Sequence, residues 1–354
     1  MERVAGVTAI SVHFPDEVRA NDWWREHHPE VVADAEARTL ARVFSRQERP
    51  ATIFDRAMQP YTDDPFRGAR LRRVSGDEDS VSMECKAARK VLDAADLSPD
   101  GIDLLISTGF VPRDPEVGNA VHVAGALGLT GAAWNLESAC GGPLNALITA
   151  SALVNAGQHR RVLVTTSCSY LSHALPSDPV SWFLGDGAGA FIVSEGGASF
   201  LGGHARHTAE TCGTWYHRYE DGRLRMGANP KTGRVMRATA EPQLRACTAG
   251  ALERAGLSLS DIDFFVFHTP TAWFAQFAAE ALGISLDRTV STYEEYANVG
   301  PALTTTNLHR AASLGRLSPG DRVLVFGPGS SASSAAVVLR WGDVALSAGP
   351  AAHA

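Results

Sequence analysis

Three residues far apart in this sequence have the side-chain types that nucleophilic catalysis needs. Cys140 lies in Asn135-Leu136-Glu137-Ser138-Ala139-Cys140-Gly141-Gly142-Pro143-Leu144, between a predicted strand and a glycine-led apolar helix. Unpaired N–H groups and the positive end of the helix dipole stabilise a thiolate there. They are expected to lower the thiol pKa from its free value of about 8.5. A small buried thiol is the ordinary alternative for an intracellular cysteine, so its company decides. His268 closes the apolar run Phe264-Phe265-Val266-Phe267, and Pro270 then stops the strand ladder, so the imidazole is expected to face a cleft. Asn298 stands in Asn298-x-Gly300-Pro301, which repeats Cys140-x-Gly142-Pro143 at an offset of 158 residues. A nucleophile with an imidazole and an amide to hand is the makeup of a covalent catalytic site.

An internal duplication supplies the elements that would bring these residues together. Leu97-Ser98-Pro99-Asp100-Gly101-Ile102-Asp103-Leu104-Leu105-Ile106 returns at an offset of 160 as Leu257-Ser258-Leu259-Ser260-Asp261-Ile262-Asp263-Phe264-Phe265-Val266. Each copy follows an alanine-rich amphipathic stretch (Met83 to Ala95; Leu244 to Ala255) and leads into a run suited to a strand buried on both faces. Arg161-Val162-Leu163-Val164 likewise recurs as Arg322-Val323-Leu324-Val325, and Ala126-Leu127-Gly128-Leu129 resembles Ala281-Leu282-Gly283-Ile284. The chain therefore reads as an α/β protein of two duplicated βα halves, residues 1–195 and 196–354, about a pseudo-twofold axis. Each half should hold a mixed, mainly parallel sheet covered by helices. Equivalent helix starts would then bring Cys140 and Asn298 to one cleft. Residues 17–75 have no counterpart in the second half. With Trp23, Trp24, Phe44, Phe54, Tyr61 and Phe66 they read as an inserted cap over the entrance or a dimer surface.

Composition narrows the function classes. A chain of 354 residues with 45% hydrophobic and 20% charged side chains can bury a cleft and lacks the signature of disorder. A net charge of −7 argues against general nucleic-acid binding. The N-terminal segment reads as a first strand instead of a signal peptide, and no apolar run is long enough to span a bilayer. Cys85, Cys140, Cys168, Cys212 and Cys247 are odd in number and widely spaced, which suits free thiols in a reducing cytoplasm. The histidines make no cluster at zinc-ligand spacing.

Two glycine-rich segments need placing. Gly185-Asp186-Gly187-Ala188-Gly189-Ala190 precedes the strand-like Phe191-Ile192-Val193 where a nucleotide loop would precede a helix, so no nicotinamide site is expected. Its expected role is tight packing beside the cleft. Gly327-Pro328-Gly329-Ser330-Ser331 follows a buried strand and is expected to line the same cleft with backbone amides.

The order of these motifs resembles the thiolase superfamily, and within it the β-ketoacyl-acyl-carrier-protein synthase III-like enzymes. The resemblance rests on Ser138-Ala139-Cys140-Gly141-Gly142, Phe183-Leu184-Gly185-Asp186-Gly187-Ala188-Gly189-Ala190, His268, Tyr296-Ala297-Asn298 and the terminal glycine loop. It spans the chain apart from residues 17–75. It implies a thiolase-like fold of five layers (αβαβα), Cys140 as the acyl-accepting nucleophile, and His268 and Asn298 as its hydrogen-bonding and acid/base partners. Asn298 would orient His268 or the acceptor.

Two departures from the family pattern bear on specificity. Thr269-Pro270-Thr271-Ala272-Trp273 replaces the Gln-Ala-Asn and following arginine of the fatty-acid enzymes, which makes Trp273 a candidate substrate contact. Pro328 occupies a position where the family commonly offers a glycine N–H to the oxyanion, and proline has none to give. With Gly327, Gly329 and Ser330 it completes the candidate substrate-binding set. These variants resemble the branch that transfers acyl groups in natural-product, polyketide-type pathways. The reading is a cytoplasmic, homodimeric acyltransferase that uses no metal or redox cofactor. It loads an acyl group from a coenzyme A or acyl-carrier-protein thioester onto Cys140 and passes it to a small-molecule or carrier acceptor. Decarboxylative condensation with a malonyl thioester is the alternative. A papain-like hydrolase shares the order Cys, His, Asn but lacks its local signature and leaves the duplication unexplained. An inactive scaffold would have lost one of the three residues.

Overall fold

The computed structural model describes residues 4–44, 52–114, 116–220, 223–330 and 333–350; Ser331 of the terminal loop lies outside them. Ten strands form one network: β1 (Ala5–His13), β2 (Leu104–Phe110), β3 (Ala132–Asn135), β4 (Val162–Ser169), β5 (Asp186–Glu195), β6 (Ala198–His207), β7 (Phe264–Phe267), β8 (Arg322–Gly327), β9 (Ser333–Arg340) and β10 (Ala345–Leu346). Their order is β7-β8-β9-β6-β1-β5-β4-β2-β3, with β10 on β1. The break between halves falls between β5 and β6, and only the pairs Gly6↔Ser199 and Val7↔Ala198 join β1 to β6. Outward from that seam the halves repeat one pattern. β1, β5, β4 and β2 are matched by β6, β9, β8 and β7 with the same parallel and antiparallel neighbours.

The mainly parallel sheet that the strand and helix alternation suggested is not what forms. Parallel pairing is confined to β2 with β3 and β4, β7 with β8, and β1 with β10. The strand after each βα unit instead runs straight back antiparallel, β4 to β5 and β8 to β9, and only a helical crossover would have kept it parallel.

Six helices complete the layers: α1 (Ser80–Ala94), α2 (Ala120–Leu127), α3 (Gly142–Asn155), α4 (Thr232–Ala255), α5 (Phe274–Leu282) and α6 (Ala302–Ser313). Three apolar clusters show how they stack. Leu144, Leu147 and Val154 of α3 and Leu308 and Ala311 of α6 are buried together with strands of both halves. Val81, Val91 and Leu92 of α1 and Val123 of α2 pack on the outer face of the first half. Leu244 and Leu252 of α4 and Phe274 and Phe277 of α5 pack on that of the second. The result is five layers, αβαβα, with α3 and α6 in the middle. Both central helices are covered on two sides: α3 is apolar nearly all round, whereas α6 also buries Thr304, Thr305, Thr306, Asn307 and His309.

Local signals account for the element ends. Asp79 caps α1 in a reciprocal box with Ser82, while α4 and α5 stop at Gly256 and Gly283 in the left-handed region. Glu84 of α1 is fully buried and accepts from Ser107, Thr165, Ser167 and Asn119 at 2.6–2.8 Å, which ties α1 to β2 and β4. A buried carboxylate is tolerable there because four donors replace its water. In the 17–75 region, Glu17–Ala20 pairs with Leu71–Val74, and buried Arg72 lies against the rings of Trp24 and Phe66. Phe54, Met58 and Arg67 of this region reach the main cavity of the molecule.

Candidate active site

That cavity has a volume of about 420 Å³, and Cys140, His268 and Asn298 all line it. Trp273, Pro328, Gly329 and Ser330 share its wall, whereas Gly327 does not; it ends β8 directly behind the Cys140 carbonyl. Most of the remaining wall is apolar and aromatic, including Phe110, Tyr170, Phe183, Trp215 and Met226. Such a surface suits an acyl chain or aryl group with a few polar groups at the reacting end.

Cys140 is held by a one-turn helix, Ala139–Gly141, that runs into α3. Ala139 has φ 46°, an uncommon backbone for a residue with a side chain, which aims the next residue into the cavity. A Cβ on Gly141 would lie 2.0 Å from the Ser333 carbonyl oxygen, and one on Gly142 1.8 Å from Thr108 Oγ1, so both glycines are required by close approach. Asn145 Nδ2 secures the turn by donating to Ser138 Oγ at 2.7 Å and to the Gly141 carbonyl at 3.1 Å.

Asn298 sits on the equivalent turn. Ala297 before it has φ 55° and ψ −154°, and Gly300 after it has φ 52°. The Asn298 N–H donates to the Phe183 carbonyl and its carbonyl accepts from Gly185 N–H, so the glycine-rich segment that resembled a nucleotide loop clamps this turn. Its side-chain oxygen accepts from Gly300 N–H at 2.9 Å, which leaves the NH₂ as the group Asn298 can offer a substrate.

His268 ends β7, where its N–H donates to the Phe326 carbonyl. Its side chain is fully buried, and among the described residues neither ring nitrogen has a hydrogen-bond partner. The expected link from Asn298 to His268 is therefore not made. Instead Asn307 of α6 pins the strand end below the ring, donating to the Phe267 carbonyl at 2.7 Å and to Thr269 Oγ1 at 3.0 Å.

Burial governs the protonation states. It pushes the Cys140 thiol up to about 12, with a hydrogen bond from Tyr170 acting the other way. Desolvation in an apolar wall thus opposes the thiolate-stabilising drop expected at a helix start. The same effect lowers His268 to about 3, which leaves a neutral imidazole. Gly329 N–H donates to Ser334 Oγ at 3.1 Å and Pro328 has no N–H, so the terminal loop lines the cavity without offering these amides to an oxyanion. The Cys140 amide lies at the start of its helical turn, where backbone N–H groups lack intrahelical partners.

Three residues at the site escaped the sequence reading: Tyr170, Asn145 and Asn307. Tyr170 follows β4 as the terminal loop follows β8, so the duplication carried a signal for it. The two asparagines act within helices and leave no local trace.

Comparison with known proteins agrees with this geometry. Residues 134–208 match the model described as 3-oxoacyl-[acyl-carrier-protein] synthase III, and residues 252–341 match that of its C-terminal part. A β-ketoacyl-[acyl-carrier-protein] synthase III of Rhizobium meliloti is 30% identical over 288 residues, 77% of this chain and 88% of the relative. In fold, the chain is similar to the Pseudomonas aeruginosa 3-oxoacyl-(acyl carrier protein) synthase III (TM-score 0.80, 21% identity, 97% of this chain and 99% of that one). It is similarly close to the priming β-ketosynthase of the R1128 polyketide pathway (TM-score 0.79, 23% identity, 97% of each chain). With Cys140, His268 and Asn298 around one cavity in a five-layered fold, this chain belongs to the β-ketoacyl-acyl-carrier-protein synthase III-like family of the thiolase superfamily.

Proposed function

We propose that the protein takes an acyl group from a coenzyme A or carrier-protein thioester onto Cys140 and joins it to a malonyl thioester by decarboxylative condensation. The observation that carries the second step is the state of His268. A general base for an alcohol or amine works best with a pKa near the working pH and with a partner that orients it. His268 has neither. A buried neutral imidazole is instead suited to donating one hydrogen bond to a developing oxyanion, here the enolate left when carbon dioxide departs. The Asn298 NH₂ is the second donor for that charge. In the first step Cys140 sulfur bonds to the thioester carbonyl carbon, the donor carbon–sulfur bond breaks, and the thiol proton leaves on the released thiol. The cycle as proposed draws on side chains and thioester substrates alone.

Acyl transfer to a hydroxyl, amine or carrier-thiol acceptor is the second reading. Trp273 in the cavity wall and Pro328 in the terminal loop favour it, since both alter surfaces that would seat a malonyl carrier. A carrier thiol fits best, being acidic enough to need no strong base. The likeness to a priming ketosynthase supports a natural-product setting for either reading. A homodimer is also proposed: β3 is one of the two edges of the ten-stranded network, and Trp134 on it, with Val117 and Val121 nearby in sequence order, is exposed. Giving the pre-acylated protein labelled malonyl-carrier protein, or in parallel the other acceptors, separates the readings. Carbon dioxide with a β-ketoacyl product supports condensation, and acyl esters, amides or carrier thioesters without carbon dioxide overturn it.

A further inference from the structure

Attack of a thiol on a thioester puts a negative charge on the carbonyl oxygen, and the terminal loop does not hold that charge with its own amides. Pro328 has no N–H, and the Gly329 peptide is engaged at both ends. Its N–H donates to Ser334 Oγ at 3.1 Å, and its carbonyl accepts from Thr208 Oγ1. A Cβ on Gly329 would lie 2.1 Å from the Ser333 carbonyl oxygen, so this peptide also packs closely on the start of β9. Ser330 Oγ is turned to Met236 Sδ at 3.5 Å.

Ser334 is placed differently. It is buried in the first turn of residues of β9 and shares the cavity wall with Cys140. One residue back, the Ser333 carbonyl packs on the nucleophile turn: a Cβ on Gly141 would stand 2.0 Å from its oxygen, which also accepts from Ser138 Oγ at 3.5 Å. A hydroxyl accepts and donates at once. Ser334 Oγ accepts from Gly329 N–H, and its own proton has no acceptor among the described residues. A buried donor in that state costs free energy until a bound group completes it. We propose that Ser334 is a catalytic residue whose hydroxyl donates to the oxyanion formed on Cys140, replacing the loop amide that Pro328 removes and acting with the Cys140 N–H. Donation from Gly329 into the same oxygen polarises the hydroxyl further. As Cys140 sulfur bonds to the carbonyl carbon, the carbonyl π pair moves onto oxygen, and that oxygen accepts from Ser334. When the pair returns, the donor carbon–sulfur bond breaks and the Cys140 proton leaves on the released thiol. Ser334 keeps its proton throughout, as a donor fixed in place before the charge develops.

This inference rests on Cys140 being the acyl-accepting nucleophile, and the test separates the two. Two reactions of Cys140 are timed at one pH. Acylation, by whichever of a panel of acyl-coenzyme A and acyl-carrier-protein thioesters labels the wild type fastest, passes through an oxyanion. Thiolation by methyl methanethiosulfonate, which has no carbonyl, does not. Peptide mass spectrometry assigns each adduct to Cys140 and separates it from exposed Cys212, and a thermal melt accompanies each variant. Ser334→Ala should slow acylation by about 10²-fold and leave thiolation within about twofold of wild type. Ser334→Thr, which keeps a hydroxyl, should recover most of the loss. Equal slowing of both reactions would make Ser334 a support of the nucleophile turn, and unchanged acylation would leave the charge to another donor; either result overturns the proposal. So does a selective loss of acylation in Thr271→Val with none in Ser334→Ala, since the buried Thr271 hydroxyl is the rival donor without a partner among the described residues. Wild-type Cys140 that takes the thiosulfonate label but no acyl group defeats the nucleophile reading and the oxyanion role with it.

Discussion

The Ala139–Cys140 and Ala297–Asn298 turns occupy equivalent places in the two halves, and each puts an alanine in the left-handed region just before the residue it presents. The first runs directly into a 14-residue central helix; the second is a freestanding turn held by Phe183 and Gly185 before α6 begins. One turn therefore presents a thiol from a helix start, and the other an amide from a clamped loop. On the proposed mechanism, one backbone device used twice divides the chemistry between its copies, with covalent attack from the first half and charge stabilisation from the second. Backbone strain at both sites, at about 1–3 kcal/mol each, is sustained because close packing on both sides leaves no relaxed alternative.

The sharpest way to break this comparison is to remove the second half's donors. His268→Ala and Asn298→Ala should each slow discharge of the acyl-enzyme by about 10²–10³-fold while leaving its formation within a few fold. The two losses should not add, because both act on one developing charge. Rapid-quench measurement of loading and discharge checks this, and equal slowing of both steps would contradict the division of labour.

Packing around the turns offers the next test. Gly141→Ala drives a Cβ into the fixed Ser333 backbone and should cost about 3 kcal/mol or more in a denaturant melt. Gly300→Ala meets the movable Cys168 side chain at a positive φ and should cost about 2 kcal/mol, part of which Cys168→Ala recovers.

Protonation gives a smaller and signed effect. His268 at about 3 binds fewer protons folded than unfolded, so its contribution is present above the ordinary value of 6.5 and is lost as pH falls toward 3. Asp186, raised from 3.8 to about 6, works in the opposite sense: its contribution is present below 3.8 and is lost as pH rises through about 6. Comparing His268→Gln with wild type cancels Asp186. The wild-type stability advantage should shrink by about 1.4 kcal/mol per pH unit between about pH 6 and pH 4, and a flat difference would contradict the buried neutral imidazole.

The supporting asparagines should differ least. Asn307 is fully buried and also accepts from the Thr292 N–H and Oγ, so Asn307→Ala should cost about 2–3 kcal/mol. Asn145→Ala, on the partly buried nucleophile turn, should cost about 1 kcal/mol and slow loading a few fold.

The sequence showed the site's geography better than its electrostatics. The 158-residue offset placed Cys140 and Asn298 on equivalent turns, and the strand-ending Pro270 placed His268, because repeats and strand ends are local features. The antiparallel returns of β5 and β9 were not legible, since their apolar runs look alike whichever way they point. What opposes the Cys140 thiolate was not legible, because a helix start is visible in sequence and the apolar wall that desolvates it is not. Tyr170 could have been found by carrying the Arg161 and Arg322 repeat a few residues further. Asn145 and Asn307 could not, since each acts through contacts made only in the folded chain.

The most direct test of the central claim is mass spectrometry of the His268→Ala/Asn298→Ala double variant after brief exposure to an acyl-coenzyme A, then to malonyl-carrier protein. The two-turn account predicts an acyl adduct on the Cys140 peptide as abundant as in wild type, persisting after the malonyl carrier is added with no carbon dioxide released. An adduct mapped to another residue, or one discharged at the wild-type rate, would contradict it.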